Sequence, residues 1–352
     1  MEWKRGPVIG RGSSAAVSLA TSDAGDIFAV KSAKMSSSSS LRNEQILISQ
    51  LSSPFIVKCL GSDITRERDE FVFNIFLEYV SGGTLSDLIR SNGGSLDETT
   101  IKFYANQMAE GLNYLHRAGI VHCDIKGQNV LIADRGGLKI ADFGCAKRAE
   151  SGGSVFAGTP VYMAPEVARG EGQGFPADVW AMGCTIIEMA TGENPWPEMN
   201  DPTAALYRVA FSCDVPEIPR WFSGAARDFA AKCFARDPEK RWTAEKLLGH
   251  PFLDSAEGGV GKSTKKSPTS VMDQCFWDTL EVPDWTTENA STSDSPAARI
   301  GGLIGDGLNS DYSAAAVGEE GWVTVRGGAT EEGTNMNIVE LIEIEDTLFR
   351  LN

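Results

Sequence analysis

Runs in which apolar residues take alternate places come first along the chain, at 8–9, 16–20, 27–31, 56–62 and 71–80. That period predicts short strands. After residue 85 the period changes: Ile101, Tyr104, Ala105, Met108, Ala109, Leu112 and Leu115 step by three and four and predict an amphipathic helix. A shorter helix is predicted over 41–51, where Glu44, Leu47, Ile48 and Leu51 share a face. The serine run at 36–40 just before it reads as a flexible connection. The pattern therefore predicts a small β-rich part followed by a larger helical part, with a cleft between them. No internal repeat is found.

Composition changes the picture near Phe252. The 352 residues carry 32 Lys+Arg against 48 Asp+Glu, a net charge of −16. From Asp254 onward there are 18 acidic and 6 basic residues, so −12 of that charge lies in the last 99 residues and −4 in the first 253. The segment from 254 is also rich in Gly, Ser, Thr and Ala and has little sustained period, which predicts a mostly disordered acidic tail. A strongly negative chain is not expected to bind nucleic acid or an anionic membrane. Its seven cysteines are scattered, with no Cys-x-x-Cys pair, and read as reduced intracellular thiols. No apolar signal core or membrane-spanning run is seen: the longest apolar stretch, 71–80, is broken by Asn74 and Glu78. A soluble chain of the cytoplasm and nucleus is expected.

Candidate chemistry begins with Gly10-Arg11-Gly12-Ser13-Ser14-Ala15-Ala16-Val17, a glycine loop between two strand-like segments. It has the G-x-G-x-x-G-x-V form that covers nucleotide phosphates, with Ala15 at the third glycine. Alone it reads equally well as a Gly/Ser hairpin. Phe28-Ala29-Val30-Lys31 follows at the spacing of the V-A-I-K element, whose lysine holds the α- and β-phosphates. Glu44 lies on the inward face of the next helix and can pair with Lys31. His122-Cys123-Asp124-Ile125-Lys126-Gly127-Gln128-Asn129 fits H-R-D-L-x-x-x-N with Cys at the second place, and Asp142-Phe143-Gly144 lies downstream. Phosphoryl transfer needs neutralised charge and aligned oxygens more than covalent help, which explains the set. Asp124 can accept a hydroxyl proton, Lys126 can balance charge on the γ-phosphate, and Asn129 and Asp142 can hold magnesium.

These motifs resemble the eukaryotic protein kinase family, in order, over residues 3–253. The resemblance implies an α+β bilobal protein kinase fold, with a small β-rich N-lobe and a larger helical C-lobe, and ATP and Mg2+ as cofactors. It implies an ATP site lined by Ile9 through Val17, Ala29, Lys31, Glu44, Leu77, Glu78, Val80 and Leu131, with Leu77 as gatekeeper and Glu78-Tyr79-Val80 as hinge. Gly158-Thr159-Pro160 through Ala164-Pro165-Glu166 is similar to the family's substrate loop and A-P-E element. Asp178-Val179-Trp180 resembles its D-x-W, and Arg241 sits where its arginine pairs with the A-P-E glutamate, here Glu166. Phe143, Gly144, Thr159 and Glu166 thus belong to the activation and substrate loop. Lys126 together with Gly158-Thr159-Pro160 is the serine/threonine pattern.

Met163-Ala164-Pro165-Glu166, the Lys126–Asn129 motif and the ending from Arg241 to Leu253 are similar to MAP kinase kinase kinases. His122-Cys123-Asp124 and an acidic tail with Cys275-Phe276-Trp277-Asp278 are similar to a small plant group tied to abscisic-acid and stress signalling. MAP kinase kinases are the substrates this implies. A pseudokinase scaffold assembling a MAP kinase module is the alternative, and the filled catalytic positions argue against it.

Two departures matter. Cys123 replaces the arginine that clamps a loop phosphate in many kinases, so control through such a phosphate is not expected, and Thr159 is expected to bond Asp124 and Lys126. Cys145 is expected to be a small packing residue and His122 a structural hydrogen-bonder. In the tail, Phe276, Trp277, Trp285 and Trp322 among acids suggest short docking motifs for a phosphatase or the degradation machinery. Apolar steps over 338–351 are consistent with a helix folding on a partner, packing on the domain, or staying loose.

Overall fold

The computed structural model describes residues 2–12, 15–133, 136–150, 157–198, 201–254 and 323–325. Five strands near the N-terminus form an antiparallel sheet: β1 (Trp3–Arg11), β2 (Ala16–Ser22), β3 (Ile27–Lys34), β4 (Cys59–Glu67) and β5 (Glu70–Glu78). The β3 strand is central and apolar, with Phe28, Ala29 and Val30 all buried. Its neighbours are β2 and β5, where Lys31 stands opposite Val17 and Ile75. One helix, α1 (Ser39–Ile48), contacts this sheet: Leu41 joins the Ala33, Phe73 and Ile75 cluster and Glu44 turns to Lys31, while Leu47 and Ile48 join the larger core of the helical part.

Each of the five expected strand segments overlaps a strand, and that of β4 shifts its bounds. Ile56 and Val57 do not begin β4; they are buried beside residue 140, with the Val57 amide on the Ile140 carbonyl at 3.0 Å. The serine run also differs from expectation. Residues Met35–Ser37 form a 3-10 turn and Ser39 opens α1. Ser38 is buried, its hydroxyl bonds the Met35 carbonyl at 2.9 Å, and it accepts from Arg42 Nε at 3.0 Å. Serine hydroxyls that bond back to the main chain make a local turn here out of what composition alone presents as a linker.

The remainder is mainly helical: α2 (Leu85–Ser91), α3 (Glu98–Arg117), α4 (Pro165–Ala168), α5 (Phe175–Thr191), α6 (Pro202–Phe211), α7 (Gly224–Cys233) and α8 (Ala244–Leu248). A capping box of Thr84 and Asp87 starts α2, and the Asp97 carboxylate caps α3 through the Thr100 amide at 3.0 Å. All seven apolar positions predicted for α3 are buried. Residues 177–190 of α5 are buried on every side, so this helix is the axis of the helical part. It ends at Gly192, whose φ of 73° suits a left-handed C-cap.

Two small ladders bracket the functional loops: β6 (Ile120–Val121) with β9 (Lys147–Arg148), and β7 (Val130–Ile132) with β8 (Leu138–Ile140). A last strand, β10 (Val323–Val325), lies within the segment expected to be disordered. It pairs antiparallel with β1 and extends the large sheet to the order β10-β1-β2-β3-β5-β4. Among the described residues, no helix is long and apolar enough to cross a membrane.

Candidate active site

The glycine loop is the turn between β1 and β2. Ile9, Gly10 and Arg11 end the first strand, Ala16 and Val17 start the second, and the Gly12 amide bonds the Ala15 carbonyl at 2.9 Å. Ser13 and Ser14 lie outside the described residues. A Cβ on Gly10 would stand 3.8 Å from Val17 Cβ, and one on Gly12 3.6 Å from the Ala15 oxygen. Both are ordinary contacts, so packing within the chain does not demand glycine there; close approach of a phosphate does. The Ala15 side chain packs on the Ala33, Leu41, Phe73 and Ile75 cluster.

Lys31 Nζ lies 2.6 Å from Glu44 Oε2 and 2.8 Å from Asp142 Oδ1. Three segments far apart in sequence thus meet at one ammonium. Burial works against its charge, but the two carboxylates outweigh burial and hold the lysine above its ordinary value. Burial pushes the Glu44 carboxyl up, and Lys31 offsets this only in part. Burial also acts upward on Asp142. There the charge and hydrogen bond of Lys31, with the Gly144 amide at 3.2 Å, win, and the carboxyl sits below its usual range. The second Glu44 oxygen accepts from the Phe143 amide at 3.2 Å, so Glu44 orients the Asp142-Phe143-Gly144 turn as well as the lysine.

Asp142 has a φ of 63° and Cys123 one of 68°, left-handed conformations that non-glycine residues hold only when their surroundings impose them. For Cys123 the cause is Asp178 on α5. Its carboxylate takes the His122 and Cys123 amides, each at 2.9 Å, and His116 Nε2 at 3.0 Å. His122 is fully buried, donates Nε2–H to the Ala141 carbonyl at 3.1 Å, accepts the Asp124 amide at Nδ1 and meets Phe143 edge to face. It is a structural residue, as expected.

Asp124 receives three donors: Thr159 Oγ1 on Oδ1 at 2.7 Å, and Lys126 Nζ and Asn129 Nδ2 on Oδ2 at 2.8 and 2.9 Å. Lys126 also reaches Thr159 Oγ1 at 2.6 Å, so the expected Thr159 contacts are both present. The Asn129 amide nitrogen is spent on the Asp124 carboxylate and main-chain oxygen, which leaves the amide oxygen for a cation. With the outer oxygen of Asp142 it makes a sparse, oxygen-only donor pair of the kind magnesium accepts when phosphates and waters complete its shell. Among the described residues no cluster of three His, Cys, Asp or Glu side chains could hold a metal without such help.

In the expected adenine region Ala29 stands opposite Leu77 across β3 and β5, and Leu131 on β7 bridges to Thr84. Val80 follows the end of β5. The Glu78 side chain turns to Lys139 at 2.8 Å and the Lys58 amide at 2.7 Å, and its own amide bonds the Lys58 carbonyl. Residue 78 therefore has its carbonyl, not its amide or carboxylate, to offer a base.

Some positioning residues fall outside every motif. Glu188, on the buried α5, accepts from Ser86 Oγ at 2.6 Å, the Gly127 amide at 3.0 Å and Tyr162 Oη at 2.9 Å, and so joins catalytic and substrate loops. Burial, then the Glu188 charge, pushes the Tyr162 hydroxyl far up. Gln173 Nε2 spans the Cys123 and Ala157 carbonyls at 3.3 and 3.0 Å. A lone carboxylate inside the apolar run Ile186-Ile187-Glu188-Met189 is the one signal that sequence offered. Arg241 forks onto Glu166 at 2.7 and 3.0 Å, as its position predicts. Cys145 is half-buried and burial raises its thiol, which leaves little thiolate at neutral pH. Ser151, Ser154, Phe276, Trp277, Trp285, Trp322 and the 338–351 periodicity lie outside the described residues.

A two-part antiparallel and helical architecture, a Lys–Glu–Asp triangle and an Asp–Lys–Thr–Asn cluster define the serine/threonine class of protein kinases. Residues 3–253 match the protein kinase domain family, and the chain belongs to it. It is 47% identical over 291 residues to mitogen-activated protein kinase kinase kinase 17 of Arabidopsis thaliana, covering 80% of this chain and 78% of that one. Mitogen-activated protein kinase kinase kinase 18 of the same plant is 42% identical across 93% of this chain and 99% of its own length. Kinase kinase kinase 20 is 36% identical over 93% and 100%.

Proposed function

We propose that this serine/threonine kinase uses magnesium-ATP to phosphorylate MAP kinase kinases, within plant abscisic-acid and stress signalling. The observation that carries the catalytic reading is the position of Lys31, bonded at once to Glu44 and Asp142. A scaffold that had lost its chemistry has no need to keep that triangle together with the Asp124 cluster. The substrate reading is supported by similarity to kinases of that name over nearly their whole length. The pathway rests on the sequence resemblance alone, and a cytoplasmic and nuclear location on the scattered cysteines that read as reduced thiols.

Magnesium-ATP, when bound, supplies the γ-phosphoryl group and the cation that neutralises it. The chain's residues bind and orient. Lys31, kept in place by Glu44, would hold phosphate oxygens, and the glycine loop would cover them. Asn129 and Asp142 present oxygens to the cation. Asp124 takes the proton from the incoming serine or threonine hydroxyl, while Lys126 places positive charge beside the transferred group. Thr159 fixes the angle between those two side chains.

A radiolabelled-ATP assay against a panel of catalytically dead MAP kinase kinases tests this. Label is expected on activation-loop Ser/Thr of at least one panel member, and Lys31→Met, Asp124→Asn and Asp142→Asn are each expected to cut it by ~100-fold or more. Full labelling by any of the three variants would remove the role given to that residue. Labelling of a generic protein but of no panel member would remove the substrate assignment.

A further inference from the structure

Without β10, β1 would be the edge of the large sheet and would present an unpaired row of main-chain groups. The chain's own tail takes that row: Val325 stands opposite Trp3, Thr324 opposite Lys4 and Val323 opposite Arg5. These are the residues through which β1 is anchored to the sheet. Trp3 is 1% exposed and meets Phe28 and Phe76 edge to face at 6.2 and 5.5 Å. Arg5 lies over the Trp3 ring and bonds Ser32, Glu67 and Asn74 at 2.7 to 3.0 Å.

The other end of the strand is held less firmly. The β1–β2 register shifts between Arg5 and Val8 and again between Val8 and Gly10, and Val8 and Ile9 are about half exposed. Beyond them come Gly10 and Gly12. One strand thus carries a tail-paired anchor at its start and the phosphate loop at its end. The anchor is poised rather than permanent. It is only three residues long, and Trp3 Nε1 and Arg5 Nε, on two of the three paired β1 residues, are buried donors with no acceptor among the described residues.

We propose that Val323–Val325 is an intramolecular clamp on β1 that couples the acidic tail to the nucleotide loop. Paired, it stiffens β1 and favours nucleotide binding; released, it frees the edge and loosens the loop. The coupling rests on the reading of 10–17 as a phosphate loop, whereas the pairing itself does not.

The test uses the full chain with Val323, Thr324 and Val325 all replaced by proline, which removes every main-chain donor of β10. The same three residues replaced by alanine keep those donors and serve as the control. Amide hydrogen exchange at residues 3–6 is expected to quicken by about tenfold in the proline variant and to stay slow in the alanine one. The Kd for magnesium-ADP is expected to rise by about threefold in the proline variant. A synthetic peptide of residues 319–329 added in excess should restore slow exchange to the proline variant. Unchanged exchange at 3–6 would overturn the pairing. Faster exchange with unchanged Kd would overturn the coupling. Failure of the unaltered chain to bind magnesium-ADP would overturn the nucleotide reading and the coupling with it, with exchange still reporting on the pairing.

Discussion

Thr159 donates its hydroxyl to Asp124 at 2.7 Å and stands 2.6 Å from Lys126, so one substrate-loop side chain sets the spacing of both catalytic-loop charges. The contact spans 35 residues of sequence and makes an ordered substrate loop a condition of an ordered catalytic centre. Thr159→Ala is therefore expected to lower kcat by roughly tenfold or more without loss of folded protein. Thr159→Ser keeps the hydroxyl and should recover most of the rate. Equal kcat for the alanine variant and the parent would mean that Lys126 and Asp124 hold their own positions.

Glu44 separates stability from activity. Its carboxyl is raised by burial, so the folded state keeps a proton that the unfolded chain has already released. Between the ordinary carboxylate value and the raised one, this group therefore makes stability fall as pH rises. At neutral pH the buried carboxylate opposes folding, whereas the Lys31 charge that it helps to hold favours it. Glu44→Gln removes both effects at once, so the melting temperature at pH 7 should move little and the stability profile should flatten on the acid side, while phosphoryl transfer drops by about tenfold or more because Lys31 loses one of its two carboxylates. A melting temperature clearly below the parent at pH 7 would show that the ion pair to Lys31 dominates.

The cluster proposed as catalytic was legible because phosphoryl transfer fixes the types and spacing of its residues within single loops. Asp124, Lys126 and Asn129 lie within six residues, and Thr159 was expected against them. The Lys31–Glu44 pair was legible for a second reason: a helical face points Glu44 inward along with Leu47 and Ile48. Glu188 and Gln173 were not readable as positioning residues because their partners, Gly127, Tyr162, Cys123 and Ala157, lie 16 to 61 residues away and follow no local period. The β10 strand escaped for the same reason. Three residues in a Gly-rich acidic segment carry no strand signal until the edge they pair with is in view.

Cys123 bears on control. It is buried, its thiol is raised by burial and then by the Asp178 charge, and its main-chain amide is held by the Asp178 carboxylate. No cation at this position can grip a loop phosphate, and the catalytic loop is held from α5 without one. Phosphatase-treated protein is expected to keep most of its activity. A complete loss that returns on rephosphorylation at Ser151 or Ser154 would contradict this.

The Arg241–Glu166 fork supports the substrate loop from below, and its burial makes the two halves unequal to the whole. The Arg241 side chain is fully buried, bonds the Pro176 and Ala235 carbonyls at 2.7 and 2.9 Å besides Glu166, and lies over the Trp180 ring at 5.2 Å. Removing the arginine strands a buried carboxylate and the Pro176, Ala235 and Arg236 carbonyls. Arg241→Met is therefore expected to cost about 3–5 kcal/mol, which for a domain of this size lowers the melting temperature by roughly 10 °C. Arg241→Lys should recover little, since an ammonium cannot reproduce the fork. Removing both charges differs from removing one: Glu166→Leu with Arg241→Met leaves no unpaired ion, so the double variant should be more stable than the single Arg241→Met. Thermal melts of the three variants decide it. Strictly additive losses would show that the pair acts through packing on Trp180 rather than through its buried charge.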